Sequence, residues 1–245
     1  MKQDMFKRFC SMIVAYNEQD LIRGCLYGLT DLHNYVVVSK PWLGEHKYFD
    51  NTSKIAEEMG AEVILKDFLS EKDERNFIME KAKADGYDYV FIIDVDEFYT
   101  REDIRKAIDF IENNPSERYN VSSCIYFWKN ENWEILPKYN NIIPACYRSD
   151  MSFTNNRNIK AEIKIFPNDI TMYHFSYAGS DEHILSKLQH FSHAKEMRPE
   201  WFDEVWKKWT PEMEDIHPGY NKHAFKKAIP YQCPEEIKLR FLNKI

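Results

Sequence analysis

The chain is 245 residues long, 44% hydrophobic and 15% aromatic, and carries 33 basic against 40 acidic side chains for a net charge of −7. It is long and apolar enough for one large α/β domain or a domain with an appendage, and its acidic balance argues against indiscriminate binding to nucleic acid or anionic lipid. No stretch approaches the ~18 uninterrupted apolar residues of a membrane span.

The predicted elements alternate from the start. The run "CSMIVAY" reads as a strand; it leads to Asn17 and Glu18 with no small-residue cleavage site, so no secretory leader is expected. Five scattered cysteines with no C-x-x-C pair point to reduced thiols and a cytoplasmic protein. Asn17 is expected to cap a helix whose apolar residues Leu21, Ile22, Cys25, Leu26 and Leu29 share one face. "YVVVS" (35–39) is a second strand, and Thr52 or Ser53 opens a helix that Gly60 stops. "AEVIL" (61–65) is a third strand. Ser70 with Asp73 reads as a capping box opening a helix that runs to Gly86. "YVFII" (89–93) is apolar throughout, as a strand covered on both faces should be, and Thr100 with Asp103 opens the next helix.

Such alternation implies a mostly parallel, doubly wound sheet flanked by helices, with ligands bound beyond the carboxyl ends of its strands. Those ends are Tyr16-Asn17-Glu18, Ser39-Lys40, Lys66-Asp67 and Asp94-Val95-Asp96. After residue 115 the pattern changes. "NVSSCIYFW", "NIIPACYR", "AEIKIFP" and "ITMYHFSY" read as a small antiparallel extension over the site. Ser180 then caps a helix, and Pro199 opens another bearing Trp201, Phe202, Val205, Trp206 and Trp209. The division is thus 1–115 and 116–245, within one continuous domain.

The fourth strand runs into Asp94, Asp96 and Glu97. Residues two apart in an extended chain point the same way, so Asp94 and Asp96 can face a cleft while Val95 turns back into the sheet. Two carboxylates side by side suit Mg²⁺ or Mn²⁺ that also takes phosphate oxygens.

Strand, Asp-x-Asp-Glu and aromatic in this position resemble the nucleotide-sugar glycosyltransferases of the GT-A fold, most nearly glycosyltransferase family 2. "IVAYNEQDLIRGCL", "DNTSKIAEEMGAEVI" and "ERNFIMEKAKADGYDYVFIIDVDEF" are similar to successive pieces of that family, in order, over roughly the first half of the chain. The resemblance implies a metal-dependent transfer of a sugar from a nucleotide diphosphate sugar, by association a UDP-sugar, to an acceptor hydroxyl. It makes 1–115 the donor half and 116–245 the acceptor side. Tyr16 is the match to the family's tyrosine near the base, and Arg75 and Asn76 to its "RN" pair. Asn17, Glu18, Ser39, Asp50, Arg75 and Asp94 are the further donor-binding candidates. The family's aspartate after the second strand is replaced near Ser39-Lys40. "MYH" resembles the Met-x-His metal site of β-1,4-galactosyltransferases, so Asp94, Asp96 and His174 are the expected ligands, with His183 next. Asp94 and Asp96 are then the catalytic pair. A general base is not recognisable; Asp181 and Glu182 are candidates, with Glu131, Asp150 and Glu162 behind them, and the first two equally suit a helix N-terminus. His190 and His193 read as surface or packing residues.

Two other readings stand beside this one. A nucleotidyltransferase also uses strand-end carboxylates and a metal, but usually has a Gly-rich phosphate loop that "IVAYNEQD" lacks. A degenerate transferase fold could bind carbohydrate or nucleic acid without catalysis. The acceptor is a glycan, lipid-linked sugar or small molecule; a modified DNA base fits the aromatic, lysine-bearing end less well, because its tryptophans fall on one stripe suited to core packing.

Overall fold

The computed structural model describes residues 8–41, 45–46, 49–137, 142–155, 157, 159–190, 194–220 and 225–245. The first half follows the expected alternation: β1 (Phe9–Ala15), α1 (Ile22–Tyr27), β2 (His33–Val38), α2 (Thr52–Glu58), β3 (Glu62–Leu65), α3 (Glu71–Ala84), β4 (Tyr89–Asp94), β5 (Glu97–Phe98) and α4 (Arg101–Asn113). Strands β3, β2, β1 and β4 lie side by side and parallel.

Period-two alternation sorts their side chains into two cores. Phe9, Ile13, Val36, Val38, Phe91 and Ile93 pack on α1, α2 and α4 through Leu26, Ala56 and Ile108. Cys10, Met12, Tyr35, Val37, Val90 and Ile92 pack on α3 through Ile78, Met79 and Ala82. This double burial is why β4 carries no polar residue before Asp94. Val95 continues the first set and is buried with it, which leaves Asp94 and Asp96 to the other face.

Of the expected caps, the Thr100 box forms in full, the Ser70 box in half, and the Asn17 cap does not form. Thr100 and Asp103 form a reciprocal capping box, and the Ser70 hydroxyl accepts from the Asp73 amide. Asn17 does not cap α1. Its backbone is left-handed at φ 54°, Leu21 stands at the helix start, and the Asn17 carboxamide instead accepts the Asp50 amide at 3.0 Å.

The second half contributes β6 (Arg118–Val121), β7 (Ser123–Leu136), β8 (Ile143–Arg148), β9 (Ile163–Ile165), β10 (Thr171–Ala178), α5 (Asp181–His190), β11 (Lys227–Pro230) and α6 (Glu235–Phe241). These strands do not form one antiparallel extension. β8, β6 and β9 complete a seven-stranded main sheet beside β4, while β11, β7, β10 and β5 form a second sheet whose central pair, β7 and β10, is parallel. The helix expected from Pro199 is a single π-helical turn, Phe202–Trp206. Trp201 and Trp206 are fully buried with Trp128 in a third core, so the tryptophan stripe serves packing.

At the far end of the chain, Arg240 of α6 is buried against α1. It donates to the Gly24 carbonyl at 2.9 Å and to the Tyr99 carbonyl at 2.6 Å, and its guanidinium lies 5.1 Å from the Phe98 ring centre. Gly28 makes room for it: a β-carbon there would collide with the Tyr99 carbonyl and the Arg240 guanidinium. Gly28→Ala should therefore cost about 3 kcal/mol by overpacking. Chemical denaturation checks this, and a variant as stable as wild type would show that α6 is not clamped there.

Candidate active site

A cavity of about 800 Å³ opens at the carboxyl ends of β1, β2 and β4. It is closed from the other side by residues of β10 and α5. What brings the halves together is the two-residue strand β5, which pairs antiparallel with β10 so that Glu97 stands opposite His174. The Phe175 amide also donates to the Asp96 carbonyl at 2.8 Å. Residues far apart in sequence are thereby stitched beside the acid cluster by backbone bonds.

Each carboxylate of the cluster has a cation from a different part of the chain. Arg75 of α3 donates to Asp94 Oδ1 at 2.9 Å and to Glu71 Oε1 at 2.8 Å. Arg157, between β8 and β9, grips both oxygens of Glu97 at 2.8 and 2.9 Å and lies 3.5 Å from Asp94 Oδ2. Glu97 in turn accepts the Asp94 amide at 3.0 Å, closing the turn on itself. Lys187 of α5 donates to Asp96 Oδ2 and, at 3.0 Å, reaches the Ser176 hydroxyl. His174 Nε2 stands 3.3 Å from the other Asp96 oxygen. Burial alone would raise both aspartates. Arg157 and Arg75 more than offset it at Asp94, and Lys187 and His174 hold Asp96 well below the usual carboxylate range.

The expected residues divide. Tyr16, Asn17, Glu18, Ser39, Arg75, Asp94, Asp96 and His174 all line the cavity. Tyr16 lies 5.4 Å from the His190 ring, so His190 belongs to the cavity wall and is not a mere packing residue; His193 lies outside the described residues. Ser39 is buried beside Glu74. Asp50 does not line the cavity, because it secures the start of α2: its oxygens accept the Thr52 and Gln19 amides at 2.8 and 3.1 Å. Asp181 and Glu182 are not brought to the site either. Asp181 accepts the Trp206 indole N–H at 2.7 Å, and Glu182 faces solvent. Glu131, Asp150 and Glu162 also lie elsewhere among the described residues.

The three expected metal ligands do not converge as a set. Asp94 is taken up by two arginines, and the described residues contain no group of three or more His, Cys, Asp or Glu able to hold an ion. Asp96 and His174 do converge, and Mg²⁺ or Mn²⁺ commonly takes one or two protein ligands with the rest from phosphate and water. Their carboxylate and imidazole atoms at 3.3 Å fit such an ion.

Two side chains of the cavity that neutralise the acid cluster escaped the sequence. Arg157 sits in "TNNRNIK", which has no periodicity to single it out. Lys187 had a signal: His183, Ser186, Lys187 and His190 recur at helical spacing, and all four line the cavity. Several wall groups keep a buried polar atom without a hydrogen-bond partner among the described residues: Glu18 Oε2, Arg75 Nη1, Arg157 Nε, His174 Nδ1 and His183 Nε2. Burial pushes the Glu18 carboxyl up to about 8, with Lys187 pulling the other way. Burial and Lys187 together lower His183, which keeps that imidazole neutral at pH 7.

A family model described as Glycosyl transferase family 2 matches residues 46–181, more than half of the chain. No curated protein matches it significantly. Among similar solved structures is the 1–349 segment of S. aureus TarS in complex with UDP-GlcNAc, at 16% identity and a TM-score of 0.49, covering 71% of this chain and 59% of that one. The same segment in complex with UDP has 16% identity and a TM-score of 0.48, covering 77% and 68%. A further structure of the segment has 15% identity and a TM-score of 0.48, covering 69% and 60%. The chain thus spans about 60% of the length of the first two TarS structures it matches.

Arg157→Met should destabilise the fold by about 3–5 kcal/mol at neutral pH, because it strands buried Glu97 without its partner. Depressed carboxylates stabilise above their unfolded pKa of 3.8 and lose that contribution as pH falls through the folded value. Wild type should accordingly resist acid down through that range, and Arg157→Met should unfold at higher pH. Identical acid-unfolding midpoints would show that Arg157 does not hold the cluster.

Proposed function

The chain belongs to glycosyl transferase family 2, and from that premise we propose that it transfers a sugar from a nucleotide diphosphate sugar, with uridine as the base, to an acceptor hydroxyl. The observation that carries this is the cavity itself. Asp94 and Asp96 stand at its floor, and buried but unpartnered N–H groups of Arg75 and Arg157 belong to its wall. Unsatisfied buried donors are costly unless something polar arrives, and an anionic diphosphate supplies what they lack.

The chain's own residues divide the work. Tyr16 offers a ring to the base at the end of β1. Asp94, fixed between two arginines, is placed to accept from a ribose hydroxyl while Arg75 and Arg157 turn their spare N–H groups to the phosphates. Asp96 and His174 would hold Mn²⁺ or Mg²⁺, which supplies positive charge to the departing diphosphate. The acceptor enters from the side of β10 and α5, where Tyr126, Tyr177 and Phe225 give aromatic surface and Ser176 and Ser186 hydroxyls. That lining suits a glycan, a lipid-linked sugar or a small polyhydroxy molecule, and Trp201 and Trp206 are buried in the third core and not offered to a DNA base. Among the described residues, the four carboxylates that line the cavity, Glu18, Glu71, Asp94 and Asp96, all come from the first half. A proton leaving the acceptor therefore goes to one of these or to an imidazole of His174, His183 or His190. No helix among the described residues is long and apolar enough to cross a membrane, and five free thiols, four of them buried, accord with work in the cytoplasm.

Incubation with a panel of nucleotide sugars and Mn²⁺ should release nucleoside diphosphate from a UDP-sugar. Asp96→Asn should cut that release by about 100-fold or more, and EDTA should abolish it. Full turnover in EDTA would remove the metal from the reading. Failure with every donor would remove the transferase itself.

A further inference from the structure

Asp94 and Asp96 are neutralised by different kinds of cation. Asp94 lies between two planar guanidiniums that are themselves locked, Arg75 by Glu71 and Arg157 by Glu97. Asp96 receives instead the ammonium of Lys187, a compact charge on a flexible four-carbon stem. That stem belongs to α5 and not to the sheet floor, and its side chain is only 17% exposed. The Lys187 ammonium touches Asp96 Oδ2 and Ser176 Oγ, with the Tyr177 ring centre at 5.9 Å. The remaining Asp96 oxygen is the one 3.3 Å from His174 Nε2.

A buried lysine–carboxylate pair gives little net stability over apolar side chains of similar size, so packing alone does not account for it. Its position does have a consequence. The lysine sits on the same carboxylate that, with His174, offers the donor set for a divalent cation, and two cations on one carboxylate repel each other. We infer that Lys187 is a resident counter-ion of Asp96 that keeps the divalent cation off the donor-free enzyme and moves to the diphosphate when donor and metal enter together. This rests on the metal- and diphosphate-binding reading given above. Four donors on one face of α5, His183, Ser186, Lys187 and His190, already line the cavity, so the ammonium needs only a change of rotamer to leave Asp96 and remain inside it.

The test is Mn²⁺ binding by the full chain, read from the electron paramagnetic resonance signal of the free ion, with and without UDP. Without UDP, Lys187→Met should bind Mn²⁺ at least roughly tenfold more tightly than wild type, and Lys187→Arg should stay as weak as wild type. Lys187→Gln keeps a hydrogen bond to Asp96 without the charge and should show the same gain, which covers the case in which the methionine variant fails to fold. With UDP present the order should reverse, since the lysine is then missing from the diphosphate. Equal Mn²⁺ binding by wild type, Lys187→Met and Lys187→Gln would overturn the inference and leave the metal reading standing. No Mn²⁺ binding by any form, with or without UDP, would overturn both.

Discussion

Three carboxylates crowded at the end of a buried strand are the constraint around which this molecule is built. Asp94, Asp96 and Glu97 repel one another, and burial makes the repulsion worse. The remedy is a cation for each, and none comes from the neighbouring sequence. Arg75 lies 19 residues from Asp94, Arg157 lies 60 from Glu97, and Lys187 lies 91 from Asp96. Helix α3, the segment between β8 and β9, and helix α5 must therefore all converge on one turn. The pairing of β5 with β10 fixes where they meet.

The same arrangement gives the site two characters. Around Asp94 and Glu97 it is rigid, because planar guanidiniums clasp carboxylates in fixed geometry and Glu97 also holds the Asp94 amide. Around Asp96 the cation is an ammonium on a flexible stem, which imposes no such fixed geometry. On the proposed reading, the fixed side would orient the donor and the side held by the lysine would meet charge at the departing diphosphate, so the two aspartates would not be equivalent ligands.

Much of the first half was legible because its signals are local. Apolar runs, period-two alternation and the Ser70 and Thr100 caps each involve residues within a few positions, and the parallel order followed from strand–helix alternation. Asn17 misled because a capping residue and a left-handed turn residue draw on the same amino acids, and only the partner amide of Asp50, from a distant segment, distinguishes them. The Pro199 helix failed for another reason. Trp201, Phe202 and Trp206 must all be buried, a demand that a π-helical turn meets where a regular helix would aim them more widely. In the second half the strands were visible but not their partners, since β8 and β6 join the main sheet while β7 and β10 leave it. Arg157 could not be found at all, as nothing near it in sequence records that it will meet Glu97. Lys187 could have been, from the polar face it shares with His183, Ser186 and His190.

The Arg240 clamp bears on how such a molecule comes to be assembled. Its bonds to Gly24 and Tyr99 span 216 and 141 residues, and the Tyr99 bond fastens the segment that follows directly from the acid turn. Contacts between such distant positions close late, after loop entropy has been overcome. A nascent chain emerging from its N-terminal end will have made every cation and carboxylate of the turn well before residue 240 appears. For that interval the strands are already in hand, but α1 and the segment after the acid turn lack the α6 clamp. A chaperone that covers the exposed side of α1 would act in this window, and synonymous codons that slow the ribosome just ahead of residue 240 would lengthen it.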